Sequence, residues 1–276
     1  MSDRQIGLLE KTRTWYMDGT FRMVNEPWTQ LFSMHGFVKS DDNMKQIHLA
    51  FCFMSGKREE DYYAVLRAID RMLPSRRLER CVVDFEAGLW QAIRRRFHDV
   101  KIQGCAFHWT QAVYRKVQEL GLKKAYEEHG KVYCFLSEVM ALHFLPREHI
   151  FVAFDSLREE ASSGPLLDLM IFIERTWMMN RLASGPTTTW KGGTIAWNSR
   201  VNTKGPVPLY LLIQELFRKT ASIPLQLRLV DEVKLKRFQR KRAQKSQRRL
   251  FKLWKEYERQ NLSTSKFLRK AASLLG

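Results

Sequence analysis

The sequence predicts an α/β fold, a mixed sheet followed by a helical block, on three observations. Three runs rich in β-branched and aromatic residues come first; a helical pattern follows, and strand and helix patterns then alternate; beyond Trp109 the strand signals stop. With 276 residues, 45% hydrophobic and 12% aromatic, the chain has material for a large core, and its composition excludes a disordered chain.

Thr14 to Val24 alternates aromatic and polar residues around Asp18-Gly19. Trp28 to Val38 and Met44 to Met54 are further runs of this kind, set apart by Asn25-Glu26-Pro27 and by Ser40-Asp41-Asp42-Asn43. Runs bounded in this way predict three consecutive strands, an antiparallel meander. Arg58 to Leu73 places Tyr62, Val65, Leu66, Ile69 and Leu73 at helical spacing, and Pro74 closes it. A short apolar run, Cys81 to Val83, then delivers Asp84; a helix from Gly88 to Phe97 and a strand from Lys101 to Phe107 follow. Three meander strands, a helix, then strand and helix in alternation is the order of an RNase H-like α/β fold, a mixed sheet with helices on its faces.

After the fifth strand, Ala112, Val113, Val117 and Leu120 form a helical stripe. Val132 to Phe144, Ile150 to Leu157 and Leu166 to Met178 read as three more helices, divided by Leu145-Pro146 and by Ser162-Ser163-Gly164-Pro165. Periodicity does not separate an all-α insertion from an ordinary helical domain. Ala183 to Pro208, rich in Gly, Thr, Ser and Pro, reads as a loop. C-terminal helices complete the expected fold: Leu209 to Phe217, and a long basic stretch from Leu227 to Gln260 with Leu250, Trp254 and Tyr257 on one face.

Lys and Arg number 47 against 29 acidic residues, a formal charge of +18. Fifteen basic and four acidic residues fall between Asp231 and Gly276, so +11 of that charge lies there. A balance of this kind favours polyanions and disfavours acidic partners. The phosphate contacts expected of the tail are Lys236, Arg237, Arg240, Lys241, Arg242, Lys245, Arg248 and Arg249, which makes DNA the expected partner, bound without sequence preference. Its alternative is a solvated helix whose apolar stripe docks on the body. Cys52, Cys81, Cys105 and Cys134 lack paired spacing, as reduced thiols of an intracellular protein would. No run reaches the roughly 18 apolar residues of a membrane span, so the expected location is nucleus or cytoplasm, with no membrane partner.

Asp18 stands in the first expected strand, near its start, and Asp84 at the end of the fourth. Taken alone they suit two roles: Asp18 capping a turn before Gly19 and Asp84 capping the helix near Gly88, or a pair of hard oxygen ligands for Mg²⁺ or Mn²⁺. Asp18-Gly19-Thr20-Phe21, Asp84-Phe85-Glu86 and Gly104-Cys105-x-Phe107-His108, in that order, resemble the motifs of Mutator-like (MULE) transposase domains of the DDE, RNase H-like superfamily, and the similarity continues through Phe172 to Trp177. The resemblance implies a two-metal phosphoryl-transfer centre with Asp18 and Asp84 as metal ligands, Cys105 and His108 as supporting motif residues, and DNA transposition as the ancestral activity. Zinc is not expected, because Cys105 and His108 lack a second ligand pair.

Such domains also carry a third acid after the helical insertion. The best match, Trp190 to Asn202, aligns Trp197, Arg200 and Asn202 and sets Ile195 where the glutamate belongs. Glu174 and Glu215 are the alternatives. The expected organisation is an RNase H-like core at 1–108, a helical insertion at 109–182, a return to the core carrying the degenerate third-acid segment at 183–225, and a basic helical tail at 226–276. The expected function is a transposon-derived, catalytically degenerate transposase domain with residual DNA binding, with a homo-oligomer as one assembly open to it. An active Mg²⁺-dependent DDE transposase and a protein-interaction scaffold without DNA binding are the alternatives.

Overall fold

The computed structural model describes residues 1–21, 23–40, 43–162, 164–178, 207–232 and 241–274. In chain order its elements are α1 (Asp3–Lys11), β1 (Thr14–Thr20), β2 (Gln30–Ser40), β3 (Asn43–Met54), α2 (Glu59–Arg71), β4 (Arg80–Val83), α3 (Ala87–Arg96) and β5 (Lys101–Gly104). There follow α4 (Ala106–Glu119), α5 (Lys123–Glu127), α6 (Lys131–Ala141) with a 3₁₀ turn at Leu142–Phe144, α7 (Arg147–Glu160) and α8 (Gly164–Ile173) with a π turn at Glu174–Met178. The last are α9 (Leu209–Asp231), α10 (Lys241–Glu258) and α11 (Thr264–Ala272). The chain forms two compact units, one from the described residues of 1–103 and 207–232, the other from those of 104–178 and 241–274.

The first unit is α/β. Its five strands form a mixed sheet in the order β3-β2-β1-β4-β5. β1, β2 and β3 pair antiparallel as a meander, and β4 joins β1 in parallel across the α2 crossover. Tyr62, Leu66 and Ile69 of α2 and Leu89, Trp90, Ala92 and Ile93 of α3 are the buried stripes of those helices. Phe97, just past α3, meets Trp15 of β1 edge-on at 5.6 Å. A separate cluster of Met23, Val24, Leu31, Val207, Leu212 and Leu216 packs α9 to the meander, joined by Trp28, Phe51 and Phe53.

Three elements depart from the sequence reading. α1 is an additional helix: Ser2 caps it, the Ser2 backbone N–H donates to Gln5 Oε1 at 2.8 Å, and Gln5 Nε2 donates to the His48 carbonyl at 3.1 Å. β5 stops at Gly104 rather than Phe107, because α4 takes over there to bury Trp109, Val113 and Val117 at four-residue intervals. α9 runs past Phe217 to Asp231, through Pro224, with Ile223 and Val230 buried beyond the expected end. Burial of that stripe outweighs the one backbone bond that proline removes.

The second unit is helical. Trp109 donates its indole N–H to the Met140 carbonyl at 3.0 Å and meets Trp177 edge-on at 4.9 Å. α10 is held here through its aromatic side: Trp254 donates to the Phe144 carbonyl at 2.8 Å, and the Tyr257 hydroxyl bonds His149 Nδ1 at 2.6 Å. Phe267, Leu268, Ala271 and Ala272 of α11 are buried. Among the described residues no helix is long and apolar enough to cross a membrane.

Candidate metal centre

The register between β1 and β4 brings two carboxylates together. Thr14 lies opposite Arg80, Trp15 opposite Cys81 and Tyr16 opposite Val82, a constant offset of 66 positions. Carried two residues onward, that offset sets Asp18 opposite Asp84. Side chains alternate along a strand, so both aspartates fall on the face that holds Tyr16 and Val82. Neighbouring strands lie about 4.7–4.9 Å apart, and the two residues each offer a carboxylate oxygen within 4.8 Å of the other.

Both backbones are pinned at this point. Ser33, the cross-strand partner of Asp18, donates its hydroxyl to the Asp18 carbonyl at 3.3 Å and bonds His35 Nε2 at 2.8 Å. Trp90 of α3 donates its indole N–H to the Asp84 carbonyl at 2.7 Å. Asp18 is buried and Asp84 half-buried. Two carboxylates this close oppose each other, more strongly away from water. A hard divalent cation reverses that sign, and carboxylate oxygen is the donor that Mg²⁺ and Mn²⁺ prefer. The donor set therefore fits such a cation.

Beside the pair lies a polar network that the sequence does not disclose. Gln30 and Tyr62 are both buried. Gln30 Nε2 donates to the Tyr62 hydroxyl at 2.8 Å and to the Gly56 carbonyl at 3.2 Å, and the Tyr62 hydroxyl donates to Glu86 Oε2. Burial pushes the Glu86 carboxyl above its ordinary range; the Tyr62 hydrogen bond and the charge of Lys57 oppose that rise, and the charge of Asp18 adds to it. Burial and the bond to Glu86 likewise hold the Tyr62 phenol protonated. Glu86 is visible in the sequence as the last residue of Asp-Phe-Glu. Gln30 and Tyr62 carry no local signal.

Cys105 is the N-cap residue of α4 and is buried; His108 is in the first turn of that helix, with its ring edge-on to Phe107 at 5.4 Å. Both follow directly on β5 in the chain. Ile195, Lys236, Arg237 and Arg240 lie outside the described residues. Lys241 and Arg242 open α10, and Lys245, Arg248 and Arg249 are exposed on it. Glu174 pairs with Arg158 at 2.6 Å and Glu215 with Arg218 at 3.8 Å, so each alternative third acid holds an arginine.

Compared with known families, residues 14–112 match the MULE transposase domain, a member of the transposase superfamily. The match begins with the first residue of β1 and ends inside α4, so it takes in Asp18, Asp84, Cys105 and His108. No curated protein matches the chain.

Proposed function

Taking a MULE transposase domain at residues 14–112 as the premise, we propose that the chain derives from a transposon and keeps a divalent-metal site at Asp18 and Asp84. On this reading it binds DNA with strand cleavage impaired. What supports it is the aspartate pair: the register turns both carboxylates to one face, and their oxygens lie within 4.8 Å. When bound, Mg²⁺ or Mn²⁺ supplies the charge that activates a water or 3′-hydroxyl and steadies the leaving oxygen. The chain's own part is to hold the two carboxylates, through Ser33 and Trp90, where that charge is needed. Cys105 and His108 keep the role of supporting motif residues that the family resemblance implies.

Impairment follows from Ile195. A branched hydrocarbon in the third-acid position removes an anionic group, and loss of one preorganised electrostatic group costs about 3 kcal/mol at other active sites, roughly a hundredfold in rate. DNA binding falls to the basic residues from Lys236 to Arg249, of which Lys245, Arg248 and Arg249 face solvent.

The test uses the full chain with duplex DNA and supercoiled plasmid. Duplex affinity should fall steeply with added salt, and together Lys245→Gln, Arg248→Gln and Arg249→Gln should weaken it across all sequences. Mg²⁺-dependent nicking should be slight. Vigorous nicking that Asp84→Asn abolishes would establish an active enzyme instead. Absence of duplex binding would end the DNA reading and leave a protein-interaction scaffold.

A further inference from the structure

Glu86 is the acidic side chain near the aspartate pair that the reading above leaves without a role. It stands two residues past Asp84 at the N-cap position of α3, yet its side chain makes no capping bond to that helix. Instead the carboxylate accepts from Tyr62, which is oriented by Gln30.

The apparatus behind that one bond is extensive. Gln30 is fully buried, and its amide donates to both Tyr62 and Gly56. A side chain on Gly19, the residue after Asp18, would run into Gln30 Oε1. That oxygen is itself buried, with no hydrogen-bond partner among the described residues, and an orphaned buried acceptor of this kind calls for an explanation such as an ion or its hydration. Two buried polar side chains thus hold a half-buried carboxylate in the field of Asp18, with Lys57 the nearby positive charge that partly offsets it. Glu86 nevertheless stands outside the group whose ligand atoms meet within 4.8 Å.

We propose that Glu86 is the third acidic group of the metal site, an outer-shell carboxylate that acts on the cation's charge without ligating it and is positioned by Tyr62 and Gln30. The inference rests on the metal-site reading of Asp18 and Asp84. On this reading Glu86 supplies negative charge that Ile195 does not.

The experiment is a titration of the full, metal-free chain with Mn²⁺, free Mn²⁺ being followed by electron paramagnetic resonance, together with thermal unfolding without metal. Wild type should bind and Asp84→Asn should not. Glu86→Gln, which keeps an acceptor for Tyr62 and removes the charge, should lose about 10- to 100-fold in affinity, the usual effect of removing an outer-shell partner. Its metal-free melting temperature should be equal to wild type or higher, because the burial of a charge, which outweighs the attraction of Lys57, is relieved. Tyr62→Phe should weaken binding by less. Glu86→Asp, which keeps the charge, should bind within a few-fold of wild type. If Glu86→Gln binds like wild type while Asp84→Asn does not, the inference falls and the aspartate site stands. If Glu86→Gln loses affinity only in step with a lowered metal-free melting temperature, the residue is structural and the inference also falls. If wild type takes up no Mn²⁺, both readings fall.

Discussion

Gly19 is set by a side chain rather than by a turn. A Cβ there would stand 2.2 Å from Gln30 Oε1, well inside contact distance. Gly19→Ala should therefore destabilise by about 1–3 kcal/mol, as overpacking usually does, and thermal denaturation would measure it. In a Gln30→Ala background the same substitution should cost less, since the obstacle is gone and the two effects cease to add. From the sequence Gly19 reads as a partner of Asp18 in a motif. Its contact with Gln30 was not legible, because it depends on how β1 and β2 pair. The two aspartates were visible in the sequence by different signals, Asp84 by the apolar run that ends on it and Asp18 by its place in an alternating strand pattern. That they share a face follows only from the register.

At the scale of elements, the start of α3 runs against the segment entering α2. A Cβ on Gly88 would meet the Lys57 carbonyl at 2.7 Å and the Arg58 carbonyl carbon and Glu59 amide nitrogen at 3.0 Å. Backbone cannot swing aside as a side chain can. On an open helix, glycine to alanine stabilises by about 1 kcal/mol; here Gly88→Ala should destabilise, and the sign of the change in melting temperature separates the two cases. The strands of the meander, α2 and α3 were legible because their apolar residues repeat at periods of two and nearly four. α1 was less so. Its Ser2 to Gln5 capping box is present in the sequence, but a helix this short is marginal alone, and its contact with His48 comes from the fold. The limit of β5 was misread because Lys101 to Phe107 continues a strand-like pattern into residues that α4 needs.

Across the whole molecule, one buried and one half-buried histidine link stability to acidity. Burial brings His143 down to about 4 against the opposing bond to the Met140 carbonyl, and it brings His48 to about 4 with help from Lys219 and Lys45. Between about 6.5 and about 4 the folded chain thus holds fewer protons than the unfolded one. Stability is full above that window and is lost as pH falls through it, by on the order of 3 kcal/mol per ring. Melting temperatures recorded from pH 7 to pH 4 should fall, and His143→Gln and His48→Gln should each flatten the curve. The basic C-terminal segment belongs to this scale too, for it is charged on one side and packed on the other. Lys245, Arg248 and Arg249 face outward, while Trp254, Tyr257, Phe267 and Leu268 complete the helical unit. A premature stop codon between Asp231 and Lys245 would consequently do more than remove those outward charges: it would strip Trp254, Tyr257 and the buried Phe267 and Leu268 from the helical unit, and the shortened product should be recognised by its insolubility.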